Sequence, residues 1–224
     1  MQVIIVGAGK LAKELLGSLE LDTRYQVVSW EQRAPGDGEA IVVHAGSGRE
    51  LAAVSAFCAE TRSPLIELST GSDVEGGEFG FPVVLCPNTN ILMLKFMAML
   101  EASGPLFRGY KIELVESHQA SKTSVPGTAV SMAHSLGLAP DEIQSVRKPS
   151  VQHDTLHIPE NQLARHAFHR IRIEDGACSV QMETRVYGDT PYASGVARIV
   201  EAVHARRLEN RVYPVMEFIT NGWL

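Results

Sequence analysis

Residues 2–12 read QVIIVGAGKLA. The first five are mostly apolar, as expected of a short strand buried on both faces of a parallel sheet. The run passes directly into a G-x-G-x-x-A turn, Gly7-Ala8-Gly9-Lys10-Leu11-Ala12, after which Leu15, Leu16 and Leu19 continue at helical spacing from Leu11. Strand, glycine turn and helix in this order form a dinucleotide-binding fingerprint. Gly7 permits the tight turn, Gly9 lets backbone approach a pyrophosphate, and the small Ala12 lets the helix pack closely on the strand. The helix start at Lys10 and Leu11 adds amide donors and a dipole that favours phosphate.

Outward from this unit, a second strand over residues 25–30 ends at Glu31, at the distance from the glycines where an acidic side chain binds ribose hydroxyls. Arg33 suits a 2′-phosphate, so the choice between NADH and NADPH stays open; the bland alternative is that Glu31-Gln32-Arg33 is a solvated loop. Further short apolar strands are expected at residues 40–43, 64–68 and 81–85, with a helix around residues 51–59. They end in His44-Ala45-Gly46-Ser47, Ser69-Thr70-Gly71 and Cys86-Pro87-Asn88-Thr89-Asn90. Any one of these is an ordinary turn. Three at successive carboxyl ends of an open α/β sheet favour a cofactor edge, with Ser69, Thr70, Gly71, Pro87 and Asn88 as candidate contacts.

The 224 residues allow one large domain or two small ones, and a net charge of −6 argues against nucleic acid or an anionic membrane as partner. The cysteines Cys58, Cys86 and Cys178 match no zinc spacing and no disulfide framework, which points to a reducing compartment. No leader pattern or membrane-length apolar run is seen, so the chain reads as soluble and cytoplasmic.

The second half opens with ILMLKFMAML at residues 91–100, read as a buried helix with methionines filling its core side. A strand over residues 111–115 leads to ESHQASKTSVPGTA at residues 116–129. His118 is a proton donor suited to neutral pH, and Lys122, four positions on, is a compact positive charge. Thr128 is expected to cap a following helix, whose first amides at Gly127 and Thr128 would seat a carboxylate. The bland alternative makes His118 and Lys122 surface residues of a loop. His153 and His157 have metal-compatible spacing, but Pro149 and Pro159 bracket a strand-like segment and no metal site is expected. His166 and His169 could line the site, but a structural role is the favoured reading. Residues 168–173 and 179–186 alternate around a turn at residues 174–176, giving a β-hairpin, and residues 192–205 return to helical periodicity. A sheet with one polar face suits packing against another subunit.

Glu113-Leu114-Val115-Glu116-Ser117-His118-Gln119-Ala120-Ser121-Lys122, followed by Pro126-Gly127-Thr128-Ala129, resembles the signature of the dihydrodipicolinate (4-hydroxy-tetrahydrodipicolinate) reductase family, an acid-x-His-His-x-x-Lys core followed by Pro-Ser-Gly-Thr-Ala. Ser69-Thr70-Gly71 is similar to the family's Thr-Thr-Gly turn, Pro87-Asn88-Thr89-Asn90 to its Pro-Asn-Phe-Ser hinge, and residues 192–197 to its Phe-Ala-x-Gly-Ala stretch. The resemblance implies an α/β fold: a Rossmann domain from residues 1–88 and 190–224, and an α+β domain over residues 89–189 with a mixed or antiparallel sheet for substrate binding and oligomerisation. It implies reduction of a cyclic imine dicarboxylate by NADPH or NADH in lysine and diaminopimelate synthesis, by a homotetramer. His118 and Lys122 would form the proton-donating pair, with Gln119, Gly127 and Thr128 on the substrate.

The chain departs from that pattern in particular places. Gln119 replaces the second histidine, the Pro-Gly-Thr turn lacks the serine, Ser124 stands at an acidic position, and the first turn is G-x-G-x-x-A rather than G-x-x-G-x-x-G. Two other readings therefore stand beside the first: a reductase of a different imine or keto acid, and a nucleotide-binding relative without catalysis. The presence of both His118 and Lys122 speaks against the last.

Overall fold

The computed structural model describes residues 1–34, 38–123, 126–188 and 190–224. The chain divides into two units, Met1–Leu94 with Tyr192–Leu224, and Lys95–Pro191. The first division falls inside a helix, after Leu94, rather than ahead of it at residue 89.

In the first unit, strands β1 (Gln2–Val6), β2 (Gln26–Ser29), β3 (Ala40–His44), β4 (Leu65–Glu67) and β5 (Val83–Leu85) join a late strand, β10 (Val212–Pro214), in one sheet. Its order is β10-β5-β4-β3-β1-β2 and every pairing is parallel. The apolar runs explain themselves in the packing. Val3 and Ile5 of β1 face one core with Ile41 and Val43, whereas Ile4 and Val6 face a second core with Val42 and Leu65. Side chains alternate across a strand, so a strand covered on both sides must be apolar at every position. Helices α1 (Lys10–Ser18) and α6 (Ala193–His204) supply Ala12, Leu15, Val196, Ile199 and Val200 to the first core. Helix α2 (Leu51–Thr61) supplies Leu51, Val54 and Cys58 to the second. Gly195 of α6 is fixed by a crossing, because a Cβ there would lie 1.7 Å from the Thr89 carbonyl oxygen.

Helix α3 (Ile91–Ser103) buries Ile91, Met93, Leu94 and Leu100, but Leu92 and Met99 are exposed. Its methionines are thus not all core, contrary to the sequence expectation. In the second unit, β6 (Lys111–His118), β7 (Gln144–Val146), β8 (Ala167–Glu174) and β9 (Ser179–Val186) form a mixed sheet in the order β7-β6-β8-β9. Strands β6, β8 and β9 are antiparallel neighbours, and β7 runs parallel to β6. Helix α4 (Gly127–Leu136) buries Ala129, Met132, Ala133 and Leu136.

Several elements differ from their sequence readings. Strand β6 continues to His118, held there by pairing with Ala167 of β8, so the motif begins on the strand and not beyond it. Trp30 leaves β2 for a 3-10 turn, Trp30–Gln32. The segment read as strand-like around His153 is a short helix, α5 (Pro149–Asp154), with proline at its first position, where the missing N–H costs nothing. His157 lies beyond that helix with φ +54°.

Candidate functional site

The carboxyl ends of the parallel strands carry the candidate cofactor residues of the first unit. Gly7 follows β1 with φ +125°, and a Cβ there would lie 2.6 Å from the Ala45 carbonyl oxygen after β3. Only glycine meets both conditions. Gly9 is the N-cap of α1, with no side-chain cap and nothing within 4 Å of where a Cβ would stand. The bare backbone there, with Lys10 and Leu11 opening the helix, is the kind of surface a pyrophosphate needs. Ala12 is fully buried against the sheet core.

Glu31 lies exposed in the turn after β2. Arg33 is folded back: its guanidinium lies 3.7 Å from the Trp30 ring centroid and donates to the Trp30 carbonyl oxygen. After β4, Ser69 donates its amide to Glu67 Oε1 (2.8 Å) and its hydroxyl to the Gly46 carbonyl oxygen (3.0 Å), beside the exposed Thr70. Gly71 has φ +68° and its amide donates to Glu75. After β5, Pro87 is exposed, and Asn88 Oδ1 accepts the Asn90 amide (3.0 Å).

In the second unit, the end of β6 holds a buried polar cluster. Glu116 and His118 stand two apart on one strand and therefore share a face. His118 Nδ1 donates to Glu116 Oε2 at 2.9 Å. Glu116 Oε1 accepts from Arg147 (2.5 Å) and from the Ser145 hydroxyl. Burial alone would raise the Glu116 pKa, but the hydrogen bonds from His118, Arg147 and Ser145 outweigh it and hold the group at about 2. With a carboxylate fixed on Nδ1, the His118 side chain, 15% exposed, presents Nε2 as its working nitrogen.

Two further histidines pack around it, His166 at 6.5 Å and His169 at 5.9 Å between ring centroids. His166 Nδ1 donates to the Gln162 carbonyl oxygen, and its Nε2 accepts from Ser117. Burial, reinforced by the neighbouring His118, lowers the His169 pKa to about 4, so His169 is neutral at pH 7. Gln152, fully buried, donates to the His118 carbonyl oxygen at 2.7 Å and braces the strand end.

Lys122 lies in the turn after β6, its amide bonded to the Gln119 carbonyl oxygen and its own carbonyl accepting from Arg147. The same arginine thus bridges the turn of Lys122 and the carboxylate behind His118. Gln119 is half-buried in that turn. Helix α4 starts at Gly127 with Pro126 as its N-cap and no side-chain cap, so Thr128 is the second helical residue and not the cap expected. Pro126, at φ −67° and ψ 141°, leads the chain straight into the helix. The first-turn amides from Gly127 onward have no intrahelical acceptor. Ser124 lies outside the described residues.

The sequence reading missed Glu116, Arg147 and Gln152 as supports of His118. The two-residue spacing of Glu116 and His118 on a strand was a usable signal for the first. The other two come from β7–α5, whose proximity no spacing announces. Among the described residues, no group of three or more His, Cys, Asp or Glu is placed to hold a metal ion, and no helix is long and apolar enough to cross a membrane.

No family model matches the chain. Two Arabidopsis thaliana proteins, 4-hydroxy-tetrahydrodipicolinate reductase 2 and 1, chloroplastic, are 30% and 29% identical to it over 153 residues. These matches span 62% of this chain and 44% of each relative. The probable 4-hydroxy-tetrahydrodipicolinate reductase 1, chloroplastic, of Oryza sativa subsp. japonica is 29% identical over 62% of this chain and 45% of its own length. The chain thus spans less than half the length of these curated relatives. Among solved structures, dipicolinate-bound dihydrodipicolinate reductase from Paenisporosarcina sp. TG-14 superposes with a TM-score of 0.62, at 16% identity, over 95% of this chain and 97% of that one. A probable dehydrogenase from Thermotoga maritima superposes at 0.51, with 7% identity, over 92% and 89% of the two chains. Over 62% of its length the sequence is similar to that of 4-hydroxy-tetrahydrodipicolinate reductases, and the fold is that of a dihydrodipicolinate reductase.

Proposed function

We propose that the chain is a nicotinamide-dependent reductase of a cyclic imine dicarboxylate, converting 4-hydroxy-tetrahydrodipicolinate to tetrahydrodipicolinate in lysine and diaminopimelate synthesis. The observation that carries this reading is the Glu116–His118 pair, with Nδ1 tied at 2.9 Å, on a segment that continues into Lys122 and the uncapped start of α4. A proton donor, a cation and a helix start in one stretch suit an anionic substrate that must gain a proton.

The glycine turn fits a dinucleotide, because Gly7 is sterically obligatory and Gly9 leaves its backbone bare. Lys10, Leu11, Glu31, Ser69, Thr70, Gly71, Pro87 and Asn88 are the other residues that would hold it; Arg33, folded onto Trp30, is less free to do so. When bound, the nicotinamide supplies the hydride. The chain's own part is proton and charge management. Once the 4-hydroxyl has left as water, Glu116 holds the Nδ1–H of His118 while its Nε2–H is given to the substrate atom that gains negative charge as the hydride arrives. Lys122 is the second member of the proton-donating pair, Gly127 and Thr128 at the start of α4 hold a carboxylate, and Gln119 hydrogen-bonds substrate without carrying a proton.

The test mixes purified protein with NADPH or NADH and freshly generated substrate and follows the nicotinamide absorbance band. Turnover with either cofactor is expected. Cofactor binding without turnover would exclude this substrate and favour the two other readings, a reductase of a different imine or keto acid, which Gln119 and the shortened Pro126-Gly127-Thr128 turn support, or a nucleotide-binding relative without catalysis.

A further inference from the structure

A second histidine–carboxylate pair lies in the first unit, and the proposed chemistry does not use it. His44 ends β3 and Glu67 ends β4, directly opposite one another in the parallel register, and both are fully buried. His44 Nδ1 lies 2.9 and 2.8 Å from the two Glu67 oxygens. An ionisable pair withdrawn this far from water is costly, and a core of aliphatic side chains would pack as well. The pair's neighbours show what it organises. Glu67 Oε1 accepts the Ser69 amide, and the Ser69 hydroxyl reaches across to the Gly46 carbonyl oxygen. Burial works against the Glu67 charge, yet the hydrogen bonds from His44 and the Ser69 amide hold its pKa below the ordinary value.

On the other side, His44 Nε2 points at the β3 turn. A Cβ on Gly46 would lie 2.7 Å from it, and Glu50 Oε2 is 4.0 Å away. Neither Nε2 nor that Glu50 oxygen has a hydrogen-bond partner among the described residues. The turn that His44 backs is the one whose Ala45 carbonyl crowds Gly7. A continuous set of contacts therefore runs from the glycine turn through residues 45–46 and the pair to Ser69.

We propose that His44 and Glu67 are positioning residues that lock the turn after β3, against which Gly7 packs, to the turn after β4 and so set the spacing between the glycine turn and the Ser69 turn of the cofactor edge. The cofactor half of this inference rests on the reading of the chain as a nicotinamide reductase; the coupling of the turns does not. The pair acts through Gly46 and Ser69 and touches no reacting atom.

Two measurements on the full chain separate these parts. Amide hydrogen exchange without cofactor is compared across Glu67→Ala, Glu67→Gln and Ser69→Ala. Faster exchange in both residues 45–50 and 68–72 is expected in Glu67→Ala and Ser69→Ala, with the strands still protected. Glu67→Gln, whose amide oxygen still accepts, should recover most of the protection. Changes confined to the mutated turn would overturn the coupling, and Ser69→Ala, which leaves the buried pair intact, decides the matter if Glu67→Ala does not fold. Steady-state kinetics and direct titration with NADH and NADPH form the second arm. Glu67→Ala is expected to raise KM and Kd for the cofactor about tenfold with kcat nearly unchanged, roughly the worth of one charge-assisted hydrogen bond, and Glu67→Gln to restore them. An unchanged KM, or a fall confined to kcat, would overturn the positioning role. A wild-type chain that binds neither dinucleotide would strike the cofactor reading instead, while the exchange result would still decide the coupling.

Discussion

The two histidine–carboxylate pairs use the same groups at nearly the same distance, 2.8–2.9 Å, and differ in surroundings. His44 and Glu67 come from neighbouring strands and are wholly enclosed. Glu116 and His118 share one strand, and only the carboxylate is enclosed, with Arg147 balancing its charge. A sealed pair can position backbone but cannot exchange a proton with a ligand. A pair with its imidazole partly exposed can do both. Partial exposure of the imidazole, more than the identity of the residues, separates support from chemistry.

The largest expected effect tests the open pair. Lys122→Ala and His118→Gln should each lower turnover by about two to four orders of magnitude, the range for an acid–base group, with thermal unfolding little changed. An undiminished rate in either variant would remove that residue from the mechanism. The matching experiment on stability compares the carboxylates. Glu67→Ala should cost about 3 kcal/mol or more in denaturant unfolding, because it leaves the fully buried His44 without its partner, and Glu116→Ala should cost less, because Arg147 and His118 are partly exposed. A loss below about 1 kcal/mol for Glu116→Ala would mean that Arg147 and His118 are readily resolvated.

The next expected effect is one of pH. The folded pKa of His169 is depressed to about 4 by burial and by His118, against about 6.5 in the unfolded chain. The unfolded chain then binds the extra proton, so the stability present above pH 6.5 falls as pH drops toward 4. The loss should be on the order of 2–3 kcal/mol and should shrink in His169→Gln. Glu116, held at about 2, begins to lose its own contribution below about pH 4.5, and burial lowers His166 as well, so the difference between wild type and His169→Gln at pH 7 and pH 4.5 isolates the one histidine. The smallest structural effect belongs to Gly9→Ala. A Cβ there meets nothing within 4 Å, so melting should move by only a degree or two, while dinucleotide affinity falls. Unchanged affinity would show that the turn does not face the cofactor.

The parallel sheet was legible because doubly covered strands must be apolar throughout, and because Gly7 and Gly9 mark the first strand's exit. The second unit's candidates, His118 and Lys122, could be named from residue type and from the family resemblance. The supports could not. His44 meets Glu67 only through the register of β3 on β4, and one sequence does not carry that register. Gln152 reaches the His118 carbonyl from α5, a helix hidden by prolines that read as strand boundaries when Pro149 was in fact a helix start. Thr128 looked like a cap because its type favours that place, but Pro126 had already set the entry angle.

Strand β10 closes the edge of β5 by pairing Val212 with Val83, while Gly195 of α6 lies against Thr89. Both contacts join positions far apart in the chain, so the entropy of closing that long intervening segment must be met before either forms. The first unit's sheet is therefore expected to finish late in folding. Until it does, β5 is a bare edge on a nascent chain, open to pairing with a second copy, and rapid synthesis at high concentration is when this protein is most exposed to misassembly.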